Sequence, residues 1–197
     1  PGAPLVRVGP DGKLYVGTSA LDDADAGNLA SYAGKILRLN PDGTVPADSP
    51  VTSSPVHAFG FRNLRGFGWS EAGVLWHAEG DREASWRGRA VAGAPAERLI
   101  ELGSSAPSGL AFTLEASASE WRGSLFVGLP DQQCVLRLSG VDAPGPAVER
   151  VACGLGRAVA VLGAGDSLYV AVAGGGGETR HAPAGAVYRI QADRARR

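Results

Sequence analysis

The chain has 197 residues, of which 44% are hydrophobic and 20% charged, and its formal net charge is -1 at pH 7. This balance excludes a disordered polyelectrolyte and suits a globular domain large enough to bury a core. Basic residues cluster only at the C-terminus and no apolar stretch approaches the roughly 18 residues of a spanning helix, so we expect neither a nucleic-acid partner nor a membrane span.

Glycine and proline are frequent, with 29 and 13 residues respectively. Such frequent turn formers favour short strands joined by tight turns over long helices. The chain begins with Pro1 and contains no Met, which leads us to expect that a segment preceded it in the original protein.

The first predicted element is a hairpin at residues 6–17 (VRVGPDGKLYVG), in which a Gly- and Asp-rich turn separates an apolar strand from a Leu-aromatic-Val strand. One helical turn is predicted at residues 24–33. Residues 35–40 (KILRLN) then predict another strand. Its apolar-apolar-Arg-apolar pattern indicates an outer strand with one wet face.

The hairpin pattern recurs at residues 66–80, 108–128 and 159–171, and the third-strand pattern recurs at residues 134–139 and 186–191. Equivalent leucines lie 61, 50 and 43 residues apart; they are Leu14, Leu75, Leu125 and Leu168. A four-stranded propeller blade takes roughly 40–50 residues. The sequence therefore predicts an all-β protein, with residues 1–197 forming a single partial β-propeller domain of about four blades. A β-sandwich, which also contains many short strands, remains the alternative.

Three segments carry a resemblance to a known family: GPDGKLYVGTS at residues 9–19, GKILRLNPDGTVPADSP at residues 34–50, and the pair Arg62–Asn63 in GFRNLRGFGW. In this order they resemble the soluble pyrroloquinoline quinone (PQQ)-dependent aldose, or glucose/sorbosone, dehydrogenases. APSGLAF, EWRGSLFVG and the late AVYRI continue the match. The family fold has six blades, so the resemblance implies that about two N-terminal blades are absent. It also implies that those blades, or a partner chain, cover the open blade face.

The resemblance implies a periplasmic or secreted oxidoreductase that oxidises the anomeric hydroxyl of a small sugar. A His base takes the proton, PQQ takes the hydride at C5, and Ca²⁺ polarises the reacting quinone carbonyl. The cofactor would be bound by Arg62, Asn63 and Arg157, and the metal would lie at Gly80 and Asp81. A planar guanidinium suits a carboxylate, and backbone oxygens suit calcium.

Several positions depart from the family pattern. The position of the base falls on Pro1, which cannot accept a proton, so no catalytic residue is assigned. Pro130 replaces a cationic residue that grips the quinone, and Asp131 beside it would repel the ligand. Phe61 stands where the family usually has His.

Three histidines remain as substitutes for the base, and each is expected to be interior packing or part of a surface loop; they are His57, His77 and His181. Two functions therefore stay open. One is a PQQ-dependent sugar dehydrogenase with an altered site, and the other is a non-catalytic propeller whose loop face binds a partner.

Two further clusters are notable. The loop carboxylates Asp22, Asp23 and Asp25 could bind Ca²⁺, or they could be ordinary solvated side chains. Cys134 and Cys153 face each other if residues 134–139 and 149–153 pair with Leu136 opposite Val151, and this arrangement would permit a disulfide, with two buried free thiols as the alternative.

Overall fold

The computed structural model describes residues 5–80, 85–103, 106–113, 120–173 and 185–191. Pro1, Asp81 and His181 lie outside these ranges, so the predictions made for them remain predictions. In the described part of the chain, no helix is long and apolar enough to cross a membrane.

The described residues form four antiparallel sheets, each a meander of consecutive strands. Sheet A contains β1 (Leu5–Val8), β2 (Leu14–Gly17), β3 (Lys35–Leu39) and β4 (Val56–Phe59), with the helix α1 (Asp23–Gly27) between β2 and β3. Sheet B contains β5 (Leu64–Trp69), β6 (Leu75–Gly80), β7 (Ser85–Arg89) and β8 (Glu97–Gly103). Sheet C contains β9 (Gly109–Phe112), β10 (Leu125–Leu129), β11 (Cys134–Ser139) and β12 (Ala147–Val151). Sheet D contains β13 (Arg157–Ala164), β14 (Ser167–Ala173) and β15 (Gly185–Gln191).

Each predicted hairpin forms the first two strands of its own sheet, so the repeat is confirmed. A β-sandwich would combine strands from different repeats into shared sheets, and the strand order shows none of this within the described ranges. Sheets A and B belong to one compact unit and sheets C and D to a second.

The repeat places an aromatic residue and an arginine at paired positions on neighbouring strands. In every sheet, the aromatic residue after the repeat leucine lies opposite an arginine of the third strand. Opposed side chains on neighbouring strands lie on the same face of a sheet. In sheet B, however, the guanidinium that lies over the Trp76 ring is that of Arg87, at 4.6 Å from the ring centroid. The pairs are Tyr15 with Arg38, Trp76 with Arg89, Phe126 with Arg137, and Tyr169 with Arg189.

The predicted wet face of the third strands is wrong for sheet A. Strand β4 pairs with the edge of β3, so β3 is not the outer strand of its sheet, and Arg38 is buried. Strand β11 of sheet C likewise has β12 outside it. In β3, the Arg38 Nε donates to Asp11 at 2.8 Å and its Nη1 donates to Asp48 at 2.9 Å. The charge in this strand is thus balanced by carboxylates and not by water.

Each unit has its own apolar core. In the first unit, Phe61, Leu64 and Phe67 are almost fully buried in a cluster with Tyr15 and Leu75. In the second unit, the corresponding cluster contains four almost fully buried side chains: Phe126, Val135, Leu168 and Val170. Burying one such side chain contributes about 1.5–3 kcal/mol, so these clusters hold the sheets of each unit together.

The cysteine prediction is right in its pairing and wrong in its register. Val135 and not Leu136 lies opposite Val151. The ladder ends at Val151, and Ala152 then adopts a left-handed backbone with φ of 51°. This turn brings Cys153 to Cys134, and the two form a disulfide.

The helix is shorter than predicted. It begins at Asp23 and ends at Gly27, whereas the sequence suggested residues 24–33. Asp22 caps its N-terminus by accepting a hydrogen bond from the Asp25 N–H at 2.8 Å. Beyond Gly27 the chain turns back toward β3, so the side chains there form a loop.

Candidate functional site

The loop between β2 and β3, residues 18–34, is held from inside by a lysine. Lys35 is fully buried, and its ammonium donates to the carbonyls of Asp25 at 3.1 Å, Ala26 at 2.8 Å and Ala33 at 2.6 Å. Burial lowers the pKa of Lys35, and the charge of Asp25 partly opposes this. One ammonium thus supplies donors to three carbonyls of the loop.

Arg62 and Asn63 form the corner between β4 and β5. The corner lies between two buried anchors, Phe61 and Leu64. The Phe61 N–H donates to the Gly34 carbonyl at 3.1 Å, and the Leu64 N–H donates to the Ser19 hydroxyl at 3.1 Å. The backbone of Arg62 and Asn63 is therefore fixed against the 18–34 loop on both sides.

The two side chains of this corner differ in their surroundings. The Arg62 side chain is 54% exposed, and its Nε lies 3.7 Å from the Asp23 carboxylate. The Asn63 side-chain oxygen is buried and has no hydrogen-bond partner among the described residues. The corner thus presents an accessible guanidinium beside an amide with unused hydrogen-bonding capacity.

Asp23 takes part in this corner, and Asp22 caps the helix. Among the described residues, no group of three or more His, Cys, Asp or Glu side chains could hold a metal ion. The carboxylates at positions 22, 23 and 25 therefore do not converge in this structure.

Gly80, the described half of the predicted metal position, ends β6 directly beside the corner. Its N–H donates to the Asn63 carbonyl at 3.0 Å, and its own carbonyl accepts from Arg65 Nε at 3.2 Å. A cation close to this carbonyl opposes the binding of Ca²⁺ there, because like charges repel at short range.

Glu79, which the sequence analysis did not single out, is the buried acid behind the corner. It is 2% exposed, and one carboxylate oxygen accepts from Arg98 Nε at 2.5 Å. The other oxygen is buried without a hydrogen-bond partner among the described residues. Burial raises the pKa of Glu79, assisted by the charge of Asp23 and opposed by Arg98 and by the Arg62 backbone N–H.

A pH-dependent stability follows from the raised pKa of Glu79. Because the folded chain binds this proton more tightly than the unfolded chain, Glu79 stabilises the fold fully at pH below its ordinary pKa of 4.5. This contribution is lost as the pH rises through the raised pKa. Glu79→Gln cannot titrate, so we expect the stability of the wild type relative to this variant to fall as the pH rises above about 4.5.

Urea unfolding midpoints of both proteins between about pH 4 and pH 8 measure this difference. Other titrating groups are common to both proteins and cancel. Parallel curves over the whole range would show that the Glu79 carboxyl keeps its ordinary pKa.

Arg157, the third predicted cofactor ligand, lies in the second unit at the start of β13. Its side chain is 51% exposed, and Nη2 lies 3.6 Å from the Asp131 carboxylate. The loop before it is tied to the turn before β11, because the Gly154 N–H donates to the Gln133 carbonyl at 3.0 Å and the disulfide joins Cys134 to Cys153. The structure describes Arg62 and Arg157 in separate units.

The described histidines lie in the interior or close to it. His77 on β6 is fully buried; its Nε2 lies 3.1 Å from the Glu97 carbonyl, and burial lowers its pKa to about 4. Gly88 makes room for this contact, since an added Cβ there would lie 2.8 Å from His77 Nε2. His57 lies on β4, and burial lowers its pKa too. His77 therefore matches the interior role expected from the sequence.

Comparison with known proteins identifies the relatives of this chain. The family model described as glucose/sorbosone dehydrogenase matches residues 2–85, which include the corner of Arg62 and Asn63. Over these residues the chain is similar to the glucose/sorbosone dehydrogenases. The resemblance in the sequence is thereby confirmed.

Individual proteins extend the comparison beyond the family model. An uncharacterised protein of Synechocystis sp. is 47% identical over 49 residues, which cover 22% of this chain and 12% of that protein. The PQQ-bound aldose sugar dehydrogenase of Streptomyces coelicolor superposes with a TM-score of 0.79 at 22% identity, covering 94% of this chain and 60% of that one. A putative oxidoreductase (glucose dehydrogenase) from Thermus thermophilus gives a TM-score of 0.70 at 29% identity, covering 85% and 57%.

These superpositions confirm the predicted β-propeller class, because the four sheets match blades of the propeller dehydrogenases. The matched region spans 60% and 57% of the length of these two solved structures.

Proposed function

We propose that this chain is the quinone-binding part of a PQQ-dependent sugar dehydrogenase located in the periplasm or secreted. The observation that carries the proposal is the corner of Arg62 and Asn63, where an accessible guanidinium stands beside an unpartnered buried amide oxygen. This corner falls within the segment matched by the family model. The PQQ-bound state of one structural relative supports the choice of cofactor.

The residues of the corner fit the chemistry of PQQ. PQQ carries three carboxylates, and a guanidinium binds a carboxylate through two parallel charge-assisted hydrogen bonds. Arg62 is free to do so because its present contact with Asp23 is long and exposed. The Asn63 amide carries two N–H donors, which suit a quinone oxygen or the oxygen of a sugar hydroxyl.

When bound, PQQ would accept a hydride from the anomeric carbon of the sugar. Arg62 would anchor the cofactor, Asn63 would orient the reacting groups, and Asp23 would limit the rotation of the Arg62 side chain. Glu79 and Arg98 would support the corner from behind. We assign the proton acceptor to none of the described residues, since His77 is fully buried.

Calcium fits this corner poorly. The Gly80 carbonyl accepts a hydrogen bond from Arg65, whose positive charge lies where a divalent cation would bind. Asp81 lies outside the described residues, so its part in a metal site remains a prediction. The proposed chemistry therefore includes no step that depends on a metal ion.

A second function is favoured by the ion pairs of the two candidate arginines. Arg62 lies near Asp23 and Arg157 near Asp131, so both guanidinium groups already have carboxylate neighbours. A propeller that had lost its cofactor would keep such pairs and use the loop face as a non-catalytic binding module. Cofactor binding separates the two functions.

Equilibrium dialysis of the full-length protein against PQQ tests the proposal. We expect saturable binding of one PQQ per chain, with an absorption spectrum that shifts on binding. A protein that binds no PQQ, while giving a native circular dichroism spectrum, would be the binding module.

A further inference from the structure

A second concave site lies in the first unit, at the opposite end of its sheets from Arg62 and Asn63. It is a cavity of about 360 Å³ beside the β1–β2 and β5–β6 turns. Its wall comprises residues of both sheets and of the segment after β7: Pro10, Asp11, Tyr15, His57, Trp69, Gly73, Val74, Leu75, Arg89, Ala90, Val91 and Ala92. Strand β5 runs from the corner to this cavity, so its six residues separate the two sites by about 20 Å.

The floor of the cavity is apolar and aromatic. Tyr15 and Leu75 are almost fully buried there. The Tyr15 ring meets Trp69 edge to face at 4.8 Å between centroids, and it meets His57 in the same way at 5.3 Å. Val91, which is 40% exposed, lies at the rim. Such rings offer both faces and edges to a flat ligand.

Both charged side chains among the described lining residues, Asp11 and Arg89, are already paired. The Asp11 carboxylate accepts from Arg38 at 2.8 Å and from the Tyr15 hydroxyl at 3.2 Å. Arg89 donates to Glu97 at 2.9 Å through Nε, and its Nη2 lies 2.9 Å from the same oxygen. A charged ligand would therefore lose its hydration without gaining a free counter-charge.

We infer that this cavity binds a small, uncharged aromatic molecule. Pockets of this size with apolar walls and few polar groups are typical ligand sites. Among the described lining residues, His57 Nδ1 is the buried side-chain polar atom without a hydrogen-bond partner. A sugar would bring many hydroxyl groups to this single unused partner, so the inferred ligand belongs to a different class from the proposed substrate. The inference does not depend on the proposed function, because the two sites are at opposite ends of the strands.

Titration with indole, followed by calorimetry and by saturation-transfer NMR, tests this inference on the full-length protein. We expect saturable binding with a Kd of about 1 mM or tighter. Benzoate, which is flat but charged, should bind at least about tenfold more weakly because it finds no unpaired cation. Absence of saturable indole binding, or equal binding of benzoate, would overturn the inference.

A rim substitution locates the binding. Ala92 is exposed, so Ala92→Trp places an indole ring in the mouth of the cavity with little cost to the fold, and it should weaken indole binding at least about tenfold. Val148→Trp on sheet C is the matched control and should leave binding unchanged. Should Ala92→Trp lower the unfolding midpoint, Val91→Trp provides the same block from another exposed position. Unchanged binding in a folded rim variant would place indole elsewhere and contradict the inference.

Discussion

Replacing Arg62 with Ala is expected to raise the Kd for PQQ by roughly 100-fold, equivalent to about 3 kcal/mol. The substitution removes the guanidinium that would bind a quinone carboxylate, and it leaves the backbone hydrogen bonds of the corner in place. Since the side chain is 54% exposed and its contact with Asp23 is long, the unfolding midpoint should barely change. Equilibrium dialysis and urea unfolding of the same preparation measure both quantities.

Arg89→Ala is the matched control for this variant. Arg89 is also a half-exposed arginine of the first unit with a carboxylate partner, but it lies at the opposite end of sheet B. It should bind PQQ as the wild type does. A PQQ affinity that falls equally in both variants would show that loss of positive charge, and not the corner itself, governs binding.

Lys35→Met is expected to cost about 3 kcal/mol of unfolding free energy, the largest effect on stability that we predict. Methionine keeps an apolar stem of similar length but cannot donate to the carbonyls of Asp25, Ala26 and Ala33. The Ala26 carbonyl retains the Gly60 N–H as a donor and the Asp25 carbonyl retains the Asn28 N–H, so the loss falls mainly on the Ala33 carbonyl. Urea unfolding measures the loss, and hydrogen exchange should show faster opening of the 18–34 loop.

Lys13→Met provides the control for Lys35. Lys13 lies in the β1–β2 region, and its change to Met should alter stability by no more than about 0.5 kcal/mol. If the two variants were equally stable, the ammonium of Lys35 would contribute no more than a surface charge.

The repeat could be predicted because its cause is local. Neighbouring residues determine the short strands, the Gly- and Asp-rich turns and the Leu-aromatic pattern. Each hairpin was found where the pattern indicated. The third strand of sheet B could not be predicted in the same way because SWRGR lacks the apolar pattern of the other third strands, although Arg89 lies opposite Trp76. The disulfide was predicted correctly despite a register error of one residue, because the left-handed turn at Ala152 compensates for it.

The site could be predicted only in part. Arg62 and Asn63 form a recognisable motif. The Glu79–Arg98 pair, in contrast, joins two strands that are not adjacent in the sheet, so the sequence spacing does not predict it. The Lys35 ammonium likewise bonds to backbone carbonyls, which have no sequence signature. The second cavity joins turns, strands and a loop that lie up to about eighty residues apart, so only the folded chain brings its walls together.

Aldose-dependent dye reduction by the full-length, PQQ-loaded protein tests the central claim most directly. We predict that an artificial acceptor dye is reduced only when PQQ and an aldose are both present. At a PQQ concentration of about ten times the wild-type Kd, Arg62→Ala should lower this reduction to about a tenth, because its Kd is raised roughly 100-fold. A wild-type protein that binds PQQ and reduces no dye with any aldose tested would contradict the proposed dehydrogenase function.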